Sequence, residues 1–155
     1  MRRLGLVLAL AAGPVLAGTP EGEVLRLINQ ARAQAGCPAL VPNPALTRAA
    51  QMQSQGMAYD DYFSHRDRQG HGFAWRAKAQ GYVYHWIGEN IAAGQPSATD
   101  VVRDWLKSPA HLRNIVDCRF AETGIAMTYQ AEDQPLPRVG QPLHYYWVQV
   151  FGAGF

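Results

Sequence analysis

Two histidines and a carboxylate carry the chemistry open to this chain. They are His65 in Tyr62-Phe63-Ser64-His65, Glu89 in Gly88-Glu89-Asn90-Ile91, and His111 in Ser108-Pro109-Ala110-His111-Leu112-Arg113-Asn114-Ile115. Neutral imidazole suits zinc, and a carboxylate can orient an imidazole or take a proton from water. The three lie far apart in sequence, so only the fold can bring them together. Taken singly, His65 reads as a hydrogen-bonded structural histidine and Glu89 as a solvated carboxylate in a loop. No Gly-x-Ser-x-Gly elbow, His-Glu-x-x-His helix or phosphate-cradling glycine loop is present. Ser64 adjoins His65, but neighbours in an extended segment point to opposite faces, which makes them a poor nucleophile and base.

The elements that must position these residues follow from spacing and caps. Thr19-Pro20 starts a helix whose Val24, Leu25, Leu27, Ile28, Ala31 and Ala35 recur at helical spacing until Gly36. Asn43-Pro44 starts a second, running to about Ala58, and His65 lies just beyond it. A short helix is predicted over 70–80, stopping at Gly81. A further helix begins at Ser97, where Ser-x-x-Asp resembles a capping box, and turns Val101, Val102, Trp105 and Leu106 inward. Ser108-Pro109 then starts a short turn of helix bearing His111 and Asn114. Strand signals come late. Ile125, Met127 and Tyr129 alternate with Ala126 and Thr128, and 143–151 reads as a strand covered on both faces, with 130–142 a long loop between them. A strand near 82–85 is also expected, and early helices with late strands suggest an α+β layered fold.

In order, the three fragments are joined by Gly81-Tyr82, Trp105, Gly124-Ile125-Ala126 and the closing Tyr146-Trp147-Val148-Gln149-Val150-Phe151-Gly152. Together they resemble the signature of the CAP superfamily (cysteine-rich secretory proteins, antigen 5 and plant pathogenesis-related group 1 proteins) in its compact bacterial form, across residues 25–151. The resemblance implies a three-layer α-β-α sandwich around a central antiparallel sheet. It also implies that His65 and His111 face each other across a cleft and bind a divalent metal such as zinc, with Glu89 the cleft acid. The larger family has a second glutamate three residues after the tryptophan matched by Trp105. That place is Ser108 here, read as an N-cap for the His111 turn, so a mechanism needing two carboxylates loses its second acid.

What the resemblance implies functionally is a secreted or periplasmic cell-envelope protein, an extracellular binding module with a divalent-metal cleft. Its partner would be a peptide, a lipid or a cell-wall component. The alternatives are a metal-dependent hydrolase in which Glu89 shuttles the proton, and a lipid- or sterol-binding protein. Among the remaining residues, His71, His85 and His144 read as surface or packing residues and Glu122 as solvent-facing. Asn90 and Asn114 read as structural hydrogen bonders, and Tyr62, Trp105, Tyr146 and Trp147 as core.

Residues 1–17 read as an export signal, with Arg2 and Arg3 before an apolar run and Val15-Leu16-Ala17 as the cleavage site. The run is shorter than the roughly 20 residues of a bilayer span, so no transmembrane segment is expected. Residues 18–155 then form one domain. The chain carries 14 basic and 12 acidic residues, and dropping Arg2 and Arg3 leaves the two signs balanced. Without a basic stripe or a net field, nucleic acid is not an expected partner. Cys37 and Cys118 are the only two cysteines. In an oxidising compartment a bridge is expected, worth roughly 2–4 kcal/mol, against the alternative of two buried thiols packed as small hydrophobes.

Overall fold

A computed structural model describes residues 18–155. The export signal expected at 1–17 lies outside the described residues. Helix α1 (Pro20–Gln34) starts where the sequence places it: the Thr19 hydroxyl accepts from the Gly22 amide, Pro20 occupies the first turn, and Val24 and Ile28 are buried. Helix α2 (Pro44–Tyr59) is capped by the Asn43 side chain, which accepts from the amides of Ala45 and Leu46. Helix α3 (Phe73–Ala79) is shorter at its start than predicted, and the chain leaves it through Gly81 at a φ of +84°. In α4 (Ala98–Lys107) the Ser97 hydroxyl accepts from the Asp100 amide, as the capping signal implies. Helix α5 (Pro109–Ile115) carries His111. Ser108 stands at its N-cap position but makes no side-chain capping bond, so its expected role is not met and Pro109 alone sets the start.

Four strands, β1 (Val41–Pro42), β2 (Trp86–Ala93), β3 (Glu122–Tyr129) and β4 (Tyr145–Ala153), form a sheet ordered β1-β3-β4-β2. The pairs β3–β4 and β4–β2 are antiparallel, with Glu89 opposite Val150 and Ala126 opposite Val148. The expected antiparallel sheet is formed by the three long strands, and the two-residue β1 adds to its edge parallel to β3. The strand expected near 82–85 begins instead at Trp86. It thereby takes in Gly88-Glu89-Asn90, which the sequence alone reads as loop. Expected β4 is covered on both faces as read.

Two cores make three layers. Val24, Ile28, Val101, Trp105 and Ile115 of α1, α4 and α5 pack on one face of the sheet with Ile125, Trp147 and Phe151. Leu46, Ala50, Met57 and Ala77 of α2 and α3 pack on the other with Ile91, Ala126, Val148 and Val150. Each apolar set leaves water at roughly 25 cal/mol per Å². Helix α2 lies directly on β3, since a Cβ at Gly124 would stand 2.0 Å from the Leu46 carbonyl carbon.

Three polar devices tie the layers. Cys37 and Cys118 form a disulfide. Arg32, fully buried, donates to the carbonyls of Pro38, Ile115, Asp117 and Phe120, fixing the chain on either side of that bridge. Buried Asp133 accepts from the amides of Leu143 and His144 and from the Tyr146 hydroxyl, closing the long loop before β4. Glu122 is not the free surface acid expected. Its two oxygens accept from Asn43 Nδ2 and the Tyr82 hydroxyl, linking β3 to the entrance of α2 and the exit of α3. Among the described residues no helix is long and apolar enough to cross a membrane.

Candidate functional site

Strand β2 is an edge strand, and consecutive residues on it point to opposite faces. Glu89 turns toward the α2–α3 layer and Asn90 toward the α4–α5 layer, and each holds the histidine-bearing segment on its own side. Glu89 is buried, and its Oε1 lies 2.8 Å from His65 Nδ1. Asn90 Nδ2 donates to the His111 carbonyl at 3.1 Å, and Asn90 Oδ1 accepts from Asn114 Nδ2 at 2.8 Å. Asn114 also donates to the Glu89 carbonyl. The structural hydrogen bonding expected of both asparagines is therefore present, Asn90 from a strand and Asn114 from the helical turn expected to carry it.

His65 sits between α2 and α3, in a segment held by many bonds. The Gln53 amide donates to the Ser64 carbonyl, Arg68 donates to the carbonyls of Asp60 and Asp61, and the Asp67 carboxylate accepts from the amides of Gln69 and His71. The His65 side chain remains about half exposed, at 49%. One residue absent from the sequence reading closes this side of the site. Arg76 of α3, only 1% exposed, donates from Nη2 to Glu89 Oε2 at 2.7 Å and from Nη1 and Nη2 to the His65 carbonyl. Its Nη1 also reaches the His71 carbonyl at 3.0 Å. Both Glu89 oxygens are thus engaged, one by a guanidinium and one by an imidazole. A carboxylate is acceptor-only, so His65 Nδ1 carries the proton and Nε2 holds a lone pair.

His111, on the first turns of α5, is half-buried near Trp105. Its pKa is lowered from 6.5, first by burial and then by the charge of His65. Its Nδ1 is buried without a hydrogen-bond partner, a state that ordinarily calls for a ligand or ordered water. The other three histidines are engaged elsewhere: His71 pairs with Asp67 and stacks on Trp75 at 3.7 Å, His85 lies against Phe155, and His144 Nδ1 meets the Gln130 carbonyl. They do not join the site.

Two imidazoles with available nitrogens and an orienting carboxylate behind one of them have the composition of an open metal centre with an outer-sphere acceptor. With both oxygens already engaged, Glu89 could orient His65 but keeps neither oxygen free to act as a ligand. Among the described residues no group of three or more His, Cys, Asp or Glu side chains is arranged to hold a metal ion. A metal here would take two protein ligands and leave its remaining positions to water or a bound molecule.

The chain belongs to the cysteine-rich secretory protein (CAP) family, whose family model matches residues 25–151. It is 34% identical over 106 residues to the uncharacterized protein YkwD of Bacillus subtilis (strain 168), an alignment covering 68% of this chain and 41% of that one. The chain thus spans about two fifths of that relative's length. Its fold is similar to that of an SCP-domain extracellular protein of Bacillus anthracis, with a TM-score of 0.72 at 21% identity over 86% of this chain and 40% of the other. It is also similar to an outer surface protein of Borrelia burgdorferi, with a TM-score of 0.73 at 17% identity, covering 85% of this chain and 90% of that one.

Proposed function

We propose that this CAP domain is an extracellular binding module whose cleft holds a divalent metal, zinc by the chemistry of its donors, between His65 and His111. The observation that carries this reading is the His65–Glu89–Arg76 chain. With the proton on Nδ1, His65 keeps a lone pair on Nε2, and His111, whose own Nδ1 is buried and unpartnered, is held through its carbonyl by Asn90, the residue next to Glu89. When bound, the metal would supply a Lewis-acidic point for a carboxylate, carbonyl or water of the partner. An extracellular setting accords with the disulfide and with the extracellular and outer-surface descriptions of the structural relatives.

The hydrolase alternative asks Glu89 to serve as a mobile proton acceptor, which fits poorly with a carboxylate clamped at both oxygens and buried. A lipid-binding alternative would use a separate groove of about 580 Å³, where Phe63, Leu136 and Val139 are flanked by Arg68 and Arg138. The binding reading is tested by calorimetric titration of zinc at neutral pH. His65→Ala and His111→Ala should each weaken binding by more than the ~10–100-fold that loss of an outer-sphere partner costs, and His71→Ala should match the wild type. Unchanged affinity in both cleft variants would refute the assignment.

A further inference from the structure

Building on that reading of the cleft, we infer that Arg76 is a positioning residue that commits one end of residue 89 to accepting a hydrogen bond, so that a carboxylate there, and not its isosteric amide, holds His65 with the proton on Nδ1. The argument is one of donors and acceptors. A guanidinium has only N–H groups and never accepts, so whatever atom of residue 89 faces Arg76 Nη2 at 2.7 Å must be an acceptor. Glutamate satisfies that demand and still offers an acceptor to His65, because both of its oxygens accept. The same side chain therefore tolerates the Arg76 contact and fixes His65 as the Nδ1–H tautomer.

Glutamine, of equal shape, has one acceptor end and one donor end. With Arg76 in place, its oxygen must turn to the guanidinium and its NH2 to His65, since the reverse arrangement would bring N–H groups together in a buried contact. His65 Nδ1 would then have to accept, the proton would move to Nε2, and the nitrogen presented to the cleft would lose its lone pair. The isosteric change that ordinarily tests a carboxylate as a proton carrier would here act by reversing an imidazole. Arg76 is held for this task by its bonds to the carbonyls of His65 and His71, which keep the guanidinium fixed against the segment that bears His65. Its burial beside an exposed Trp75, at 45%, is the reverse of what hydropathy alone would place there.

The test reads the tautomer directly, in metal-free protein, from the ring nitrogen-15 shifts of His65 at pH 8. The wild type should show the proton on Nδ1, and Glu89→Gln should show it on Nε2. Zinc affinity of Glu89→Gln should fall by roughly 10–100-fold, the usual cost of losing an outer-sphere acceptor. In Arg76→Met/Glu89→Gln the guanidinium no longer dictates how the amide turns, so the Nδ1–H form should reappear alongside the Nε2–H form. Persistence of the Nδ1–H form in Glu89→Gln would overturn the inference, as would an undiminished Nε2–H form in a folded double variant. If the double variant fails to fold, the isosteric single substitution still decides. Because the tautomer is read without metal, a wild type that shows Nδ1–H but binds no zinc would count against the metal reading and leave the role of Arg76 standing.

Discussion

His111 gives the site a dependence on pH whose sign follows from its surroundings. Burial, and next the charge of His65, lower its pKa below 6.5, so the folded protein resists protonating it. As pH falls through about 6.5 the unfolded chain takes up the proton first, and stability declines until the folded-state ring titrates as well. Denaturant midpoints of metal-free protein between pH 7.5 and 5 should fall with acidification. They should fall less in His111→Gln, and identical slopes in the two proteins would contradict this account. At this scale the motif made His65, Glu89 and His111 legible, because their residue types and order survive without any geometry. Arg76 was not legible. A lone arginine in a short helix reads as a solvated charge, and the signal that could have found it is its place three residues after Phe73 and beside Ala77, on the inward side of α3. The role of Glu122 was missed for a related reason: its partners, Asn43 and Tyr82, are 79 and 40 residues away.

The elements were read most closely where capping chemistry marks their ends. The starts of α1, α2 and α4 each follow a side chain that accepts from the first-turn amides, a local cause visible in the sequence. Strand β2 was misplaced because its Gly-Glu-Asn centre has low strand propensity, and it is held in the sheet by pairing with the strongly apolar β4. The two-residue β1 has no periodicity to read. Gly124 in β3 shows what element packing demands. A Cβ there would lie 2.0 Å from the Leu46 carbonyl carbon and 2.1 Å from the Thr47 amide nitrogen, backbone that has no rotamer with which to yield. Gly124→Ala should therefore cost at least the upper end of the ~1–3 kcal/mol usual for overpacking. At Gly88 the neighbour is the end of the Phe120 ring at 3.0 Å, which can shift, so Gly88→Ala should cost less. Urea midpoints of the two variants provide the comparison, and equal losses would argue against backbone contact as the cause at Gly124.

For the molecule as a whole, the layered class was readable from the order of helices and strands, whereas the allocation of helices to faces depends on contacts that no local pattern encodes. The disulfide closes a separation of 81 residues. Its reduction should lower stability by roughly 2–4 kcal/mol through the freedom returned to the unfolded chain. Arg32 clamps the same junction by four hydrogen bonds, so the reduced protein should remain folded, as the denaturation profile with and without reductant will show. The position of His65 and His111 about an edge strand has a wider consequence. His65 belongs to one outer layer and His111 to the other, and β2, through Glu89 and Asn90, ties both to the sheet. Anything that bound both imidazoles would act as a non-covalent staple across the sandwich. Its affinity would then appear as resistance of the entire domain to unfolding, growing with the logarithm of its concentration, and not as the rigidity of one loop.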